Sequence, residues 1–305
     1  MNGGKRLKVF LLALGLVTLP LLAASARSAS SSAAPPKTIK IGEICDYSGP
    51  ARAICGHQKA GLDLAVEHIN AAGGIKSLGG AKLEMIHLDH EFKAALAKEQ
   101  ADRLINREKV NALILGIPSG FGVMVGEMTE AAGIPYYPAL VVTPAKTEQG
   151  FKNVFSVATT SPMISYAGYE YLNFLAKEYL SKKPARVALL YADTEYNIEV
   201  LKGVNAQAKQ FGYEVVSTVA YPFPPKDLTS FILRVKASNP DVVLVSPAAG
   251  EGPLIDKTMD TLGYDPLRLG LMSAYMDLAY IASMGAKGEN SVSIGWYAEA
   301  MSADA

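Results

Sequence analysis

Hydrogen-bonding side chains stand at the predicted starts of two helices in this 305-residue chain. Ser119 and Gly120 come just before a helical pattern that begins at Gly122. Tyr196 follows Asp193-Thr194-Glu195 at the start of another helix. The first N–H groups of a helix have no partner within it, so such positions favour anions such as carboxylates. Ordinary capping explains each residue equally well alone, but together they favour a site for a small polar ligand with an apolar or aromatic part.

Sequence motifs of the common enzyme classes are missing. The chain has no Gly-x-x-x-x-Gly-Lys-Ser/Thr phosphate loop and no Gly-x-Gly-x-x-Gly after its first predicted strand. Gly116 is one position too far from Ser119 for a Gly-x-Ser-x-Gly nucleophile elbow. His87 and His90 lack a third metal ligand at helical spacing, so we expect them to be polar residues of an exposed loop. We therefore expect no catalytic residue, no metal site and no cofactor.

The N-terminus has the pattern of a secretory signal peptide. Lys5, Arg6 and Lys8 precede an apolar stretch over residues 9–23, and Ala24-Ser25-Ala26 supplies small residues for cleavage. The apolar run is shorter than the roughly twenty residues that a membrane-spanning helix needs, which argues against the alternative of an uncleaved anchor. We predict a signal peptide over 1–26, a flexible linker over 27–36 and a periplasmic protein.

Composition agrees with a soluble exported body. Without residues 1–26 the chain has 26 basic and 29 acidic residues, a net charge of −3. Half of all residues are apolar, which argues for a folded core, and a mildly acidic balance provides no footprint for nucleic acid. In an oxidising compartment we expect a disulfide between Cys45 and Cys55, with two separate thiols as the alternative.

Short β-branched runs alternate with longer helical patterns from Ile39 onward. The predicted strands are 39–44, 82–88, 112–117, 134–138, 187–191, 214–221, 242–245 and 267–271. The predicted helices are 59–72, 94–107, 122–132, 163–180, 196–211, 228–238, 252–262 and 275–284. Two such series predict two Rossmann-like α/β lobes with parallel sheets, over 37–157 and 158–293. Open sheets of this kind bind ligands at the carboxyl ends of their strands, so a cleft between the lobes is the expected site.

Longer motifs resemble a known family. Tyr47-Ser48-Gly49-Pro50 and the later segment 61–75, with its Asn-Ala-Ala-Gly-Gly-Ile ending, are similar to the solute-binding proteins for branched-chain amino acids of ABC importers. Lys226-Asp227-Leu228 and Asp241-Val242-Val243 also match, and the resemblance covers about 39–296. It implies a type I periplasmic binding fold. Members normally continue through further crossovers, so we expect that 294–305 begins a crossover and that the C-terminal part of the first lobe is missing.

The resemblance also implies ligand contacts. The family's carboxylate-binding serine corresponds to Ser119, and its lobe-two tyrosine to Tyr196. Its amine-binding threonine aligns with Val142, with Thr143 as the alternative if the alignment shifts by one position. Its ammonium-binding glutamate falls near Ser273 or Ala274, with no carboxylate until Asp277. The family's aromatic lid corresponds roughly to Cys55, with Tyr47 nearby. The predicted ligand contacts are Tyr47, Ser119, Gly120, Leu140, Val141, Val142, Tyr196, Ala248 and Ser273.

These replacements favour a ligand that has a carboxylate but no α-amino group, because a buried ammonium without a partner is costly. A branched-chain amino acid remains an alternative if Asp277 reaches the site. The expected function is the periplasmic component of an ABC importer, a monomer that delivers a small carboxylate-bearing or amide ligand to permease subunits in the inner membrane. A ligand-sensing domain acting on a receptor or regulator is the alternative.

We predict that the mature protein begins at Arg27 or within the next few residues. Intact-mass measurement of periplasmic material should show the loss of residues 1–26. A dominant species that retains Lys5, Arg6 and Lys8 would contradict the signal-peptide assignment.

Overall fold

The computed structural model describes residues 38–275 and 284–295, which form two α/β lobes in succession. The elements of the first lobe are β1 (Thr38–Cys45), α1 (Arg52–Ala71), β2 (Lys82–Asp89), α2 (Ala94–Asp102), β3 (Ala112–Leu115), α3 (Gly122–Ala132), β4 (Tyr136–Pro138) and α4 (Ala145–Glu148). Those of the second lobe are α5 (Ser161–Glu178), β5 (Arg186–Ala192), α6 (Glu195–Phe211), β6 (Glu214–Tyr221), α7 (Thr229–Ala237), β7 (Val242–Ser246), α8 (Gly252–Thr261), β8 (Leu267–Gly270) and β9 (Ser291–Ser293). Short 3-10 helices cover Ser119–Phe121 and Ser273–Tyr275, among others, and a π-helical turn over Arg103–Glu108 follows α2.

Both sheets are parallel, as the alternation of strands and helices predicts. The first sheet has the order β2-β1-β3-β4 and the second the order β6-β5-β7-β8-β9. Within the second sheet, Leu189 of β5 lies opposite Leu244 of β7. All strands of a lobe therefore end at one edge, and the expectation of two parallel-sheet lobes is confirmed.

The central strands are buried on both faces. Every residue of β7 is buried, as is every residue of β5 after Arg186. In the second lobe, Leu189 and Leu244 face one core cluster, while Leu190 and Val245 face another on the opposite side of the sheet. Helices on both faces explain why these strands read as continuous apolar runs.

The first helix begins earlier than the periodicity predicts. The pattern indicates a start at Lys59, whereas α1 begins at Arg52. The Asp46 carboxylate accepts hydrogen bonds from the N–H groups of Gly49 and Ala51, both at 2.7 Å, and so closes the turn before the helix. A side chain that binds the backbone locally in this way lets a helix start directly after a turn.

The structure differs from two further sequence-based expectations. The expectation that His87 and His90 are exposed loop residues is wrong: His87 lies within β2 with its side chain 14% exposed, and His90, directly after β2, is fully buried. Tyr275 lies in a 3-10 helix rather than at the start of a helix over 275–284. Residues 276–283 lie outside the described residues, and so do the predicted signal peptide, the linker and the segment 296–305.

A disulfide joins the end of β1 to the first turns of α1. Cys45 and Cys55 are bonded, with their Cα atoms 5.8 Å apart, and both side chains are fully buried. The Asp46 N–H also lies 3.0 Å from the Cys55 sulfur. The prediction of a Cys45–Cys55 bond is confirmed.

We expect the double variant Cys45→Ala/Cys55→Ala to lose about 3 kcal/mol of unfolding free energy. The disulfide closes a short loop and so lowers the conformational entropy of the unfolded chain, which stabilises the folded protein by about that amount. Denaturant unfolding of the oxidised protein and the variant measures the difference, and reduced wild type serves as the control. Labelling of two thiols in denatured, unreduced protein would contradict the bond.

Candidate functional site

A cavity of about 340 Å³ lies between the strand-end loops of the two lobes. Its walls are mostly apolar, with a few polar groups from each lobe. The lining residues are Ile54, Phe92, Ile117, Pro118, Ser119, Gly120, Leu140, Val142, Asp193, Thr194, Glu195, Tyr196, Phe223, Pro247, Ala248 and Met272. This volume and composition suit a small organic ligand.

Six of the nine predicted contacts line this cavity, namely Ser119, Gly120, Leu140, Val142, Tyr196 and Ala248. Val141 does not, because its side chain packs against Gly122 in the first-lobe core. Tyr47 also lies elsewhere. The backbone of Ser273 belongs to the helix Ser273–Tyr275, but its side chain, like all of Asp277, is outside the described part of the chain.

Tyr47 belongs to a polar cluster between β1, β2 and α1. Its hydroxyl donates to the Glu43 carboxylate, which is fully buried and also binds His87 Nδ1. His87 Nε2 lies 2.8 Å from the Asp63 carboxylate. Hydrogen bonding to Glu43 is the main cause that raises the pKa of His87, and burial followed by Glu43 raises that of Tyr47. These bonds hold Tyr47 within the first lobe.

Ser119 is placed to donate a hydrogen bond to a ligand. Its oxygen accepts from the Val142 N–H at 3.1 Å, and the residue is only 5% exposed. A hydroxyl has one proton and two acceptor positions, so the proton stays available. The helix turn Ser119–Phe121 leads directly into α3, whose N-terminal N–H groups add to the positive potential here.

Tyr196 stands on the opposite side of the cavity. Its hydroxyl is buried and has no hydrogen bond of standard geometry, and burial raises its pKa to about 12 against a smaller lowering by Ser246. Next to it, Asn197 donates to Thr194 Oγ1 at 3.2 Å and accepts from Ser246 at 2.5 Å. Asn197 thus ties the ends of β5 and β7 together.

Two carboxylates at this site were not among the predicted contacts. Asp193 and Glu195 both line the cavity, and both belong to exposed residues at its rim. Glu195 Oε2 reaches across to the first lobe, where a Cβ atom added to Gly120 would lie 2.7 Å from it. The sequence signal was the Asp-Thr-Glu loop, which equally fits helix capping.

The aromatic side chains that form one wall of the cavity were also not among the predicted contacts. Phe92 of the first lobe lies against Phe223 of the second, with ring centroids 5.6 Å apart. Phe92 also contacts Phe121, at 6.4 Å between centroids. Both Phe92 and Phe223 are in loops of little periodicity, where sequence patterns do not indicate which way a side chain faces.

A buried lysine supports the segment that contains Leu140 and Val142. Lys146 is only 2% exposed, and its Nζ donates to the carbonyl oxygens of Val141 and, at 3.3 Å, Ala158. Burial lowers the pKa of Lys146 to about 8. The ammonium thus links this segment to the connection between the lobes.

Residues 38–275 and 284–295 contain neither a metal-ligand cluster nor a membrane-spanning helix. No group of three or more His, Cys, Asp or Glu side chains within these ranges is arranged to hold a metal ion. No helix in the same ranges has the length and apolar character to cross a membrane.

The profile of the family described as periplasmic binding protein matches residues 38–305. A Leu/Ile/Val-binding protein homolog from Brucella abortus is 29% identical over 252 residues, 81% of this chain. The chain spans 61% of the length of that relative.

Solved structures share the fold. A solute binding protein of an ABC transporter from Rhodopseudomonas palustris, in complex with 3,4-dihydroxy benzoic acid, has a TM-score of 0.71 at 22% identity. The match covers 83% of this chain and 66% of that one. A leucine binding protein from Thermotoga maritima has a TM-score of 0.68 at 21% identity, over 83% and 68% of the two chains.

We expect the stability of wild type relative to Lys146→Met to rise with pH between about 8 and 10.5. The folded pKa of Lys146 is depressed below the unfolded value of 10.5, so the unfolded chain binds more protons in this window. The slope should approach about 1.4 kcal/mol per pH unit. Denaturant unfolding at several pH values measures it, with Lys209→Met on the exposed side of α6 as the control for a lost surface charge. Equal slopes in both variants would contradict this account of Lys146.

Proposed function

Because this chain belongs to the periplasmic binding protein family, as the match over residues 38–305 shows, we propose that it is the solute-binding component of an ABC importer. Family members are solute-binding proteins, which agrees with the expectation of no catalytic activity. In this proposal the protein works in the periplasm as a monomer, captures one small ligand between its lobes and delivers it to permease subunits in the inner membrane.

One observation carries the proposal: both lobes contribute side chains to one small cavity at the carboxyl ends of their strands. Ser119 and Phe92 come from the first lobe, and Tyr196 and Phe223 from the second. A ligand that touches both sets gains all its contacts only when the lobes are closed. Differential affinity for the closed arrangement is what shifts a hinge equilibrium.

The polar groups favour a small carboxylate-bearing or amide ligand with an apolar or aromatic part. Ser119 and the N-terminus of α3 offer donors to a carboxylate or carbonyl oxygen. None of the described lining residues is Lys or Arg, so an anionic group must be held by these neutral donors. Phe92, Phe223 and Tyr196 supply apolar surface for the rest of the ligand.

The two rim carboxylates change the balance between candidate ligands. The sequence favours an acid without an amino group, since the family's amine-binding threonine aligns with Val142. Asp193 and Glu195 offer acceptors that could pair with an ammonium, an amide N–H or a phenol hydroxyl. We therefore keep amino acids, aromatic acids and amides together as the proposed class. The names of relatives fit this range, since one is a Leu/Ile/Val-binding homolog and another structure holds 3,4-dihydroxy benzoic acid.

A thermal-shift panel of amino acids, aromatic acids and amides tests the proposed class directly. A bound ligand raises apparent stability by RT ln(1 + [L]/Kd), so hits at millimolar concentration identify the ligand type. Titration calorimetry with matched pairs, such as leucine and 4-methylpentanoic acid, then measures the contribution of the amino group. A panel without any hit would count against solute binding at this cavity.

We expect Ser119→Ala to weaken carboxylate ligands roughly tenfold to a hundredfold without unfolding the protein. The lost charge-assisted hydrogen bond is worth on the order of 2 kcal/mol. Calorimetry on any ligand found in the panel measures the change, and Ser230→Ala on the exposed side of α7 serves as the control. Equal affinities for the two variants would mean that the carboxylate does not bind at Ser119.

A further inference from the structure

His90 lies fully buried at the end of β2 and joins two loops of the first lobe. Its Nε2 lies 2.6 Å from the Ile117 carbonyl oxygen, and its Nδ1 lies 3.0 Å from the Phe92 backbone nitrogen. A carbonyl oxygen can only accept and a backbone N–H can only donate. The ring must therefore be neutral, with its proton on Nε2.

Both partners of His90 belong to the wall of the cavity. Ile117 and Phe92 line it, and the His90 ring packs edge-on against Phe121 at 5.3 Å and Phe92 at 6.4 Å between centroids. The bond to Ile117 joins the loop after β2 to the loop after β3, and the bond from Phe92 fixes the backbone of the loop that carries the Phe92 ring.

The loop that carries Phe92 has an unfavourable backbone. Glu91 and Phe92 have φ values of 49° and 57°, in the left-handed region that L-residues rarely adopt. Two bonds to the end of β2 hold them there: Glu91 N–H donates to Asp89 Oδ1 at 2.8 Å, and Phe92 N–H donates to His90. Such conformations persist only where surrounding contacts enforce them. In this conformation the Phe92 ring meets Phe223 of the second lobe.

We propose that His90 is a positioning residue of the solute site: neutral His90 holds Phe92 against Phe223, and protonation of His90 releases this wall and weakens ligand binding. The proposal rests on the proposed function in that the cavity is taken as the solute site. It concerns a residue that makes no contact with the ligand itself. A proton on Nδ1 would point at the Phe92 N–H. Two donors cannot form a hydrogen bond with each other, so the bond between Phe92 and His90 would be lost.

The direction of the pH dependence follows from the surroundings of His90. Burial is the main cause that lowers its pKa, against raising effects of the Ile117 carbonyl and of the carboxylates of Asp46 and Asp89. Asp46 comes from the loop after β1 and Asp89 from β2 itself, while the loop after β3 supplies the Ile117 carbonyl and the uncharged Phe121 ring. A depressed folded pKa means that the contribution is complete above about 6.5 and is lost as pH falls through the folded value.

The pKa of His87 shifts in the opposite direction to that of His90, so the protonation of the two histidines can be told apart. The pKa of His87 is raised, chiefly by its hydrogen bond with Glu43, so it is protonated at higher pH than His90. His57 is exposed on α1, and His57→Asn is the control for loss of a histidine outside the site.

A ligand-free measurement on the full chain tests the role of His90. In isotope-labelled protein at pH 7.5, we expect slow exchange of the Phe92 amide proton and a nuclear Overhauser contact between the Phe92 and Phe121 rings, which both belong to the first lobe. Both should weaken as the pH is lowered from 7.5, in step with the fraction of His90 that the ring signals report as protonated. His57→Asn should behave like wild type.

Two matched variants separate the hydrogen bonds. In His90→Asn the amide oxygen can replace Nδ1 as acceptor from Phe92, so the ring contact should survive and become independent of pH. In His90→Gln the amide nitrogen can replace Nε2 as donor to Ile117, so the protection of the Phe92 amide and the Phe92–Phe121 contact should be lost at every pH. Retention of both in folded His90→Gln, or in wild type with protonated His90, would overturn the proposal. If His90→Gln does not fold, the wild-type pH series and His90→Asn decide.

Titration calorimetry with L-leucine and with 3,4-dihydroxybenzoate extends the test to binding. For a probe that binds, the loss of about one hydrogen bond should lower affinity roughly tenfold once the ring signals report protonated His90. We expect this fall in wild type and in His57→Asn but not in His90→Asn. An equal fall in His90→Asn would contradict the proposal. If neither probe binds, these two ligand assignments fail, while the ligand-free measurements still decide the role of His90.

Discussion

Burial of the central strands between helices is the constraint on which the rest of the structure depends. Because β5 and β7 are covered on both faces, their polar neighbours can emerge only at the strand ends. In the first lobe β3 is buried after Ala112 whereas β2 is partly exposed, and Ser119 and His90 likewise follow the ends of these two strands. Two such edges that face each other enclose a cavity without any special loop, and all of its lining groups come from positions just after a strand or at the start of a helix.

Buried polar side chains then determine the shape of these edges. Asn197 ties the ends of β5 and β7, His90 ties the ends of β2 and β3, and Lys146 holds the segment before the second lobe through the Val141 carbonyl. Each satisfies backbone or side-chain groups that would be costly to bury alone. These side chains make the loops rigid, so a ligand need not order them on binding, which favours affinity.

The cavity holds groups that attract negative charge close to groups that attract positive charge. Ser119 and the N-terminus of α3 attract negative charge, whereas Asp193 and Glu195 at the rim attract positive charge or hydrogen-bond donors. Because Glu195 reaches Gly120 across the cleft, the two tendencies meet in one small region. A ligand with both an acceptor and a donor would satisfy both, and its apolar part would lie against Phe92, Phe223 and Tyr196.

The amino-acid sequence by itself determined the two-lobe fold, most element boundaries and the Cys45–Cys55 bond, because helix and strand periodicity and local turn chemistry act over a few residues. It also placed Ser119 and Tyr196 at helix starts that prove to line the cavity. Only the tertiary structure decided that Val142 faces the cavity while Val141 faces the core, and that Tyr47 binds Glu43. The same is true of Phe92, Glu195 and His90, whose partners are distant in the chain. Their positions depend on how two sheets and their loops pack, and no local pattern encodes that packing.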